Sequence, residues 1–210
     1  MSLDVSAWTA PQRGALFVVT GASGTGKTTL VREALANLPG IAWSVSATTR
    51  AARKGEVHGE DYLFVSTEAF ERKLQKGELL EWAKVYGNYY GTLRKPVEQA
   101  LARGESILLE IDVQGARQVR EAAPEAVLVF VLPPSVESLE ARLRGRATDD
   151  DATIARRVAE AREQLQGVAE FDYIVVNDVL ASAHHRFQAV LVAELQRRHR
   201  HPKLVETFAG

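Results

Sequence analysis

The sequence contains no cysteine. That excludes disulfide staples, thiolate nucleophiles, cysteine-ligated zinc and iron–sulfur clusters together, and it suits a reducing, cytoplasmic compartment. Long hydrophobic runs are missing too. The longest unbroken apolar stretch, Ala126–Leu132, falls far short of the roughly 18 residues that a membrane helix needs, so no membrane partner is expected. Neither charge sign is in excess. With 26 Lys plus Arg against 27 Asp plus Glu the net charge is −1, so a polyanion site must come from local clustering, and a nucleic-acid partner is not expected. The first residues, Met1–Gln12, carry Asp4 and no basic cluster before an apolar stretch. They are expected to be a loose leader and not a secretory signal. What is present is ordinary for a globular chain: 46% apolar and 25% charged residues, with 15 Gly and 7 Pro, so low complexity is excluded. A chain of 210 residues makes one large or two small domains and buries about 70% of its unfolded surface.

Continuous apolar segments at 15–19, 107–111, 126–132 and 173–176 read as strands buried on both faces. They alternate with helical patterns at 27–38, 113–122, 135–143, 154–165 and 180–199, so the expected fold is α/β, a parallel sheet flanked by helices. Between the first helix and Ile107 the texture changes. Short strands are expected at 41–46, 61–65 and 79–86, forming an inserted lobe with a turn at Gly87–Gly91, whose end glycines permit a reversal. The segment 142–151 holds three arginines and three consecutive aspartates, and reads as an exposed mobile loop. The basic end from His184 onward reads as a solvated helix terminus.

Gly21-Ala22-Ser23-Gly24-Thr25-Gly26-Lys27-Thr28 follows the first buried strand and opens the first helix. It satisfies the G-x-x-x-x-G-K-[ST] pattern in the strand–loop–helix context that gives the pattern meaning. Glycines let backbone N–H groups turn inward around phosphate oxygens, and the helix adds its positive dipole end. Lys27 then reaches the β and γ phosphates, and the Thr28 hydroxyl ligates a Mg²⁺ that bridges them. Thr29, next in the chain, is grouped with the loop. The chain is therefore expected to bind a nucleoside triphosphate, ATP. The loop alone leaves a switch, a motor and a transferase open.

A second anion site is suggested by Arg50 and Arg53, three apart and followed by Tyr62, because guanidinium groups grip phosphate through paired hydrogen bonds. At this point the sequence resembles the guanylate kinases. The resemblance rests on the phosphate loop, on Ser-Val-Ser-x-Thr-Thr-Arg-x-x-Arg-x-Gly-Glu-x-x-Gly-x-Asp-Tyr over 44–62, on Gly87-Asn88-Tyr89-Tyr90-Gly91, on Ile111-Asp112-x-Gln114-Gly115 and on Leu132-Pro133-Pro134-Ser135. It runs from about Gly14 to about Leu195.

The resemblance implies a P-loop core at about 14–40, 104–140 and 168–200, a GMP-binding lobe with short strands at about 41–100 and a mobile lid at about 141–165, all in one domain over 1–210. It implies Mg-dependent transfer of the ATP γ-phosphate to GMP and dGMP in purine nucleotide metabolism. Arg50, Arg53, Tyr62 and Tyr90 match positions that hold the acceptor phosphate, and Ser46, Glu81, Thr92 and Asp112 match those around guanine. Guanine presents N1–H and N2–H₂ as adjacent donors that one carboxylate accepts together; adenine has no such pair on that edge. Arg142, Arg146 and Arg157 resemble lid and lid-flank arginines, which place positive charge where the transferring phosphoryl group needs it. Such an arginine is worth roughly three to five powers of ten in rate. Asn177, past the last strand, is expected at the adenine side. The sequence also departs from the family pattern. Ala22 replaces a proline, Glu110 an aspartate near the metal, Ala147 a glycine and Val179 an aspartate. Glu110 is thus a second candidate for the metal shell beside Thr28.

Three rivals remain at this point. A non-catalytic interaction module of guanylate-kinase type would usually lack the intact phosphate loop. Another small P-loop kinase would leave Ser46, Glu81, Thr92 and Asp112 unexplained, and a nucleotide switch would leave the acceptor lobe unexplained. No obligate protein partner is inferred.

Overall fold

A computed structural model of the chain describes residues 11–36, 38–85, 87–144 and 151–209. The apolar runs become a five-stranded parallel sheet: β1 (Leu16–Thr20), β2 (Ile41–Trp43), β7 (Ser106–Glu110), β8 (Val127–Leu132) and β9 (Tyr173–Val176). The order is β2-β7-β1-β8-β9. Central β1 is buried throughout, and its side chains alternate between two cores as the pleat requires. Phe17 and Val19 face one side, with Leu30, Val31 and Ala34 of α1 (Lys27–Ala36) and Phe187 and Leu191 of α7 (Leu180–Leu195). Leu16 and Val18 face the other, with Val97 and Ala100 of α3 (Arg94–Ala102) and Ala116 and Val119 of α4 (Val113–Ala122). Helices thus cover both sheet faces, as parallel strands demand.

A second sheet of four strands has the order β4-β3-β6-β5, from β3 (Ala47–Thr48), β4 (Leu63–Phe64), β5 (Leu79–Val85) and β6 (Asn88–Leu93). Only β3 and β4 run parallel within it; β6 lies antiparallel to both of its neighbours. Helix α2 (Thr67–Gln75), capped by the Ser66 hydroxyl, buries Phe70 against this sheet, and Phe70 stacks on Tyr89 at 5.1 Å. Helices α5 (Val136–Arg144) and α6 (Asp151–Gln166) close over the phosphate loop, packing Leu139, Leu143 and Ala161 against Ala22.

Several expectations need correction. Ile41–Trp43 pairs in parallel with β7 in the main sheet and not with the smaller one. The expected turn at Gly87–Gly91 is mostly strand: Asn88 already pairs with Val85, and Gly87 at φ 82° carries the reversal alone among those residues. Helices α2, α3 and α8 (Pro202–Ala209) were not foreseen. The helix expected to reach His199 ends at Leu195, and a 3₁₀ turn follows at Arg198–Arg200. This end is solvated in part: Gln196–His199 are exposed, but Arg200 is 3% exposed and donates to the carbonyls of Glu194 and Gly14. Nor is Gln12 loose, since its N–H donates to the Arg200 carbonyl and its side chain accepts from the Lys203 N–H.

Candidate active site

The phosphate loop leaves β1 at its carboxyl end and enters α1. Gly24 and Gly26 adopt φ of 87° and 83°, a region open to glycine at no steric cost. A Cβ at Gly26 would also lie 2.6 Å from Asn177 Nδ2, so that side chain would have to leave its place behind the loop. Thr25 is fully buried and its hydroxyl donates to the Ala22 carbonyl at 2.9 Å, which holds the loop in its curl. The Lys27 ammonium donates to the carbonyls of Gly21 and Ala22, so the loop keeps its own cation folded in. Thr28 donates to Glu110 Oε1 at 2.7 Å, joining the start of α1 to the end of β7.

These two oxygens suit the implied Mg²⁺, a hard cation that prefers oxygen donors. Among the described residues no cluster of three or more His, Asp or Glu could hold a metal by itself. The remaining ligands would therefore be phosphate oxygens and water. A carboxylate one methylene longer than aspartate reaches the threonine hydroxyl directly, so Glu110 fits the place.

One cleft of about 980 Å³ joins the loop to the smaller sheet. Gly21, Ser23 and Lys27 line one side, and Ser46, Tyr62, Glu81, Tyr90 and Asp112 line the other. Glu110 lies between them, and Arg157 reaches the cleft from α6. Positions singled out in the sequence, from Lys27 and Ser46 to Asp112 and Arg157, thus meet around one space.

Glu81 is 4% exposed and accepts from the Thr92 hydroxyl at 2.6 Å, across the β5–β6 pair in which the two residues are register partners. Burial pushes its carboxyl up from 4.5 to about 7; nearby Asp112 adds to the rise and the Thr92 hydrogen bond opposes it. Asp112 caps α4, accepting from the Gly115 N–H at 2.8 Å. Gly115 leaves room for the Glu81 carboxylate, because a Cβ there would lie 2.7 Å from Glu81 Oε2 and displace it. Arg50 forms a two-pronged pair with Glu56 at 3.0 and 2.8 Å, and its guanidinium lies 5.4 Å from the Tyr62 ring centre. The Glu56 bond holds Arg50 above its ordinary value, and burial raises the Tyr62 phenol. Tyr62 and Tyr90 meet edge to face at 6.1 Å.

Other positions lie differently. Arg53 is exposed, and its backbone N–H donates to Glu56 at 2.7 Å. Thr29 is exposed on α1. Asn177, expected at an adenine ring, is 6% exposed and donates to the Thr25 carbonyl at 2.7 Å, bracing the phosphate loop from behind. Arg142 donates to the Asn177 carbonyl at 3.1 Å, so it too backs the loop. Arg146 and Ala147 lie outside the described residues, as does most of the basic and acidic loop expected at 142–151. The sequence reading missed Glu56, which holds Arg50 and the Arg53 N–H together. Its signal was available, in a carboxylate three residues past the second arginine.

A phosphate loop at the carboxyl edge of a parallel sheet, facing a tyrosine pair and a buried carboxylate across one cleft that Arg157 also lines, defines a P-loop kinase of the nucleoside monophosphate class. Residues 13–194 match the family model described as guanylate kinase. A guanylate kinase of Symbiobacterium thermophilum is 50% identical over 197 residues, covering 93% of each chain. One from Synechocystis is 51% identical over 182 residues, covering 87% of this chain and 95% of that one. Among solved structures, the guanylate kinase of Anaplasma phagocytophilum superposes with a TM-score of 0.76 at 34% identity, over 95% of this chain and 97% of that one. The chain belongs to the guanylate kinase family.

Proposed function

We propose that this chain transfers the γ-phosphate of ATP to GMP, giving ADP and GDP, with dGMP as a further acceptor and Mg²⁺ as the cation. The observation that carries the reading is the buried Glu81–Thr92 pair set across a single cleft from an intact phosphate loop. One ionised Glu81 carboxylate accepts both guanine donors, whereas a bound AMP would leave it buried with the Thr92 hydroxyl and no donor from the base, at a cost of about 2–5 kcal/mol.

The phosphate loop holds the donor through its inward N–H groups, and Lys27 exchanges the Gly21 and Ala22 carbonyls for phosphate oxygens. Arg50, Arg53, Tyr62 and Tyr90 hold the acceptor phosphate, with Arg50 already oriented by Glu56. An oxygen of that phosphate then attacks the γ-phosphorus in line, and the bond to the β–γ bridging oxygen breaks, leaving ADP. Bound Mg²⁺ neutralises charge on the phosphates, and Thr28 and Glu110 are the residues that would hold it. Arg157 and the lid arginines Arg142 and Arg146 supply positive charge around the transferring group. Little covalent chemistry is needed, because alignment and fixed charge supply most of the acceleration.

The division into core, GMP-binding lobe and lid is supported by the two sheets and the α5–α6 pair, with Ile41–Trp43 assigned to the core instead of the lobe. A cysteine-free chain suits a cytoplasmic location, and the reaction needs neither a protein partner nor nucleic acid. The reading is tested by following label from γ-³²P-ATP in the presence of Mg²⁺ and GMP. Label recovered in GDP is the expected result; label recovered only as inorganic phosphate would overturn it.

A further inference from the structure

Helix α4 carries a glutamine that none of the nucleotide-binding roles accounts for. Gln118 donates through Nε2 to the Trp82 carbonyl at 2.8 Å and accepts through Oε1 from the Trp82 N–H at 3.0 Å. One side-chain amide thereby satisfies both backbone groups of a single strand residue, as a neighbouring strand would. Its location gives the clasp a purpose. β5 is the edge strand of the smaller sheet, so the outward N–H and C=O groups of Trp82 have no strand beside them. The register of β5 against β6 also slips between Leu79 and Glu81, and such a bulge re-aims side chains and weakens the ladder locally.

The slip divides the strand's side chains among three surroundings. Leu79 enters the core of the smaller sheet, Leu80 enters the core under the main sheet, and Glu81 lines the cleft. Glu81 therefore stands on an irregular edge strand, yet it must face guanine within hydrogen-bond distance. On the same helix as Gln118, Asp112 caps the first turn and Gly115 lies against Glu81 Oε2.

We propose that Gln118 is a positioning residue for guanine recognition. By fixing the Trp82 peptide against α4 it sets the orientation of Glu81 relative to Asp112. Gln118 touches no substrate and acts through the strand. This inference rests on the reading of the cleft as a GMP site.

The test compares wild type with Gln118→Met, which keeps the length of the side chain and loses both bonds, and with Gln118→Glu, which keeps an acceptor for the Trp82 N–H alone. GMP binding is measured by calorimetry, and KM for GMP, KM for ATP and kcat by steady-state assay. Loss of two neutral hydrogen bonds predicts an increase of about tenfold in the GMP dissociation constant and KM for Gln118→Met. Gln118→Glu should fall between it and wild type. KM for ATP and kcat at saturating GMP should stay within about twofold of wild type, while the GMP-to-AMP preference falls by a similar tenfold factor. If Gln118→Met does not fold, the intermediate Gln118→Glu values decide alone. Unchanged GMP affinity, or equal losses in KM for both nucleotides and in kcat, would overturn the positioning role. Wild-type protein that fails to bind GMP would overturn the cleft reading itself, and the proposal with it.

Discussion

Replacing Glu81 by glutamine should affect stability and recognition in opposite directions, and the structure sets both magnitudes. In the folded chain the Glu81 carboxyl is raised from 4.5 to about 7, first by burial and then by Asp112. Its folded value lies above its unfolded one. Its contribution to stability is therefore full below about pH 4.5 and is lost as pH rises through 7. That loss amounts to about 3 kcal/mol by pH 8. A neutral amide in the same place carries no such cost. The melting temperature of the unliganded Glu81→Gln variant should therefore gain on wild type between pH 5 and pH 8, by about 8 °C for a chain of this size. Groups that do not face Glu81 titrate equally in both proteins and cancel in the difference. Recognition moves the other way, because guanine requires the ionised carboxylate. Relative to the variant, wild-type affinity for GMP should weaken about tenfold for each pH step below 7 and level off above it. The variant should lose this Glu81-dependent part of the profile, keeping only what the GMP phosphate's own ionisation at about pH 6 contributes, with affinity about 100-fold weaker than the wild-type plateau, since two charge-assisted bonds are lost and an amide donor faces the guanine amino group. Differential scanning calorimetry and isothermal titration across pH 5–8 read both quantities. A stability difference that stays constant with pH would place the Glu81 carboxyl at its ordinary value and refute the reasoning from burial.

Lys27→Ala should reduce phosphoryl transfer by at least about a thousandfold. Its stability should stay within about 1 kcal/mol of wild type, because the ammonium is tied to loop carbonyls and not to the core; retained turnover would contradict its role. Gly26→Ala forces a Cβ to 2.6 Å from Asn177 at a φ of 83°. KM for ATP should rise about tenfold or more while GMP binding by calorimetry is unchanged. Glu110→Gln keeps a partner for the Thr28 hydroxyl but removes the charge, so half-maximal activity should require several-fold more Mg²⁺. An unchanged Mg²⁺ requirement would remove Glu110 from the metal shell.

The main sheet was legible because its strands are buried on both faces, so Leu16–Thr20 and Val127–Leu132 read as continuous apolar runs. The phosphate loop was legible because its glycines and lysine stand at fixed spacing. The smaller sheet was legible in part, since the strand expected at 79–86 is Leu79–Val85 and the one expected at 61–65 contains Leu63–Phe64. A strand of two residues, Ala47–Thr48, is too short to show a period of its own. Asn88–Leu93 opens on a turn-like Gly-Asn and contains a glycine, which conceals a strand whose order comes from pairing on both sides. Glu81 and Thr92 looked like ordinary strand polar residues, and only the family resemblance marked them. Their hydrogen bond depends on a register that the sequence does not display. The contacts of Asn177 and Arg142 with the loop backbone could not be read from the sequence, because burial against the loop is a tertiary fact. Gln118 gave no signal at all, since an amide on an amphipathic helix looks solvated until a strand edge is placed beside it. Arg200 misled for the same reason: a basic chain end resembles a solvated one, and only packing against Gly14 reveals otherwise.

The central claim, base-selective phosphoryl transfer, is tested most directly by ADP release from ATP and Mg²⁺ with GMP, dGMP, AMP, CMP or UMP as acceptor in turn. The account predicts rapid turnover with GMP, slower turnover with dGMP, and kcat/KM for AMP lower than for GMP by at least about a hundredfold. Equal efficiency with GMP and AMP, or no turnover with any acceptor in protein shown to bind ATP, would contradict it.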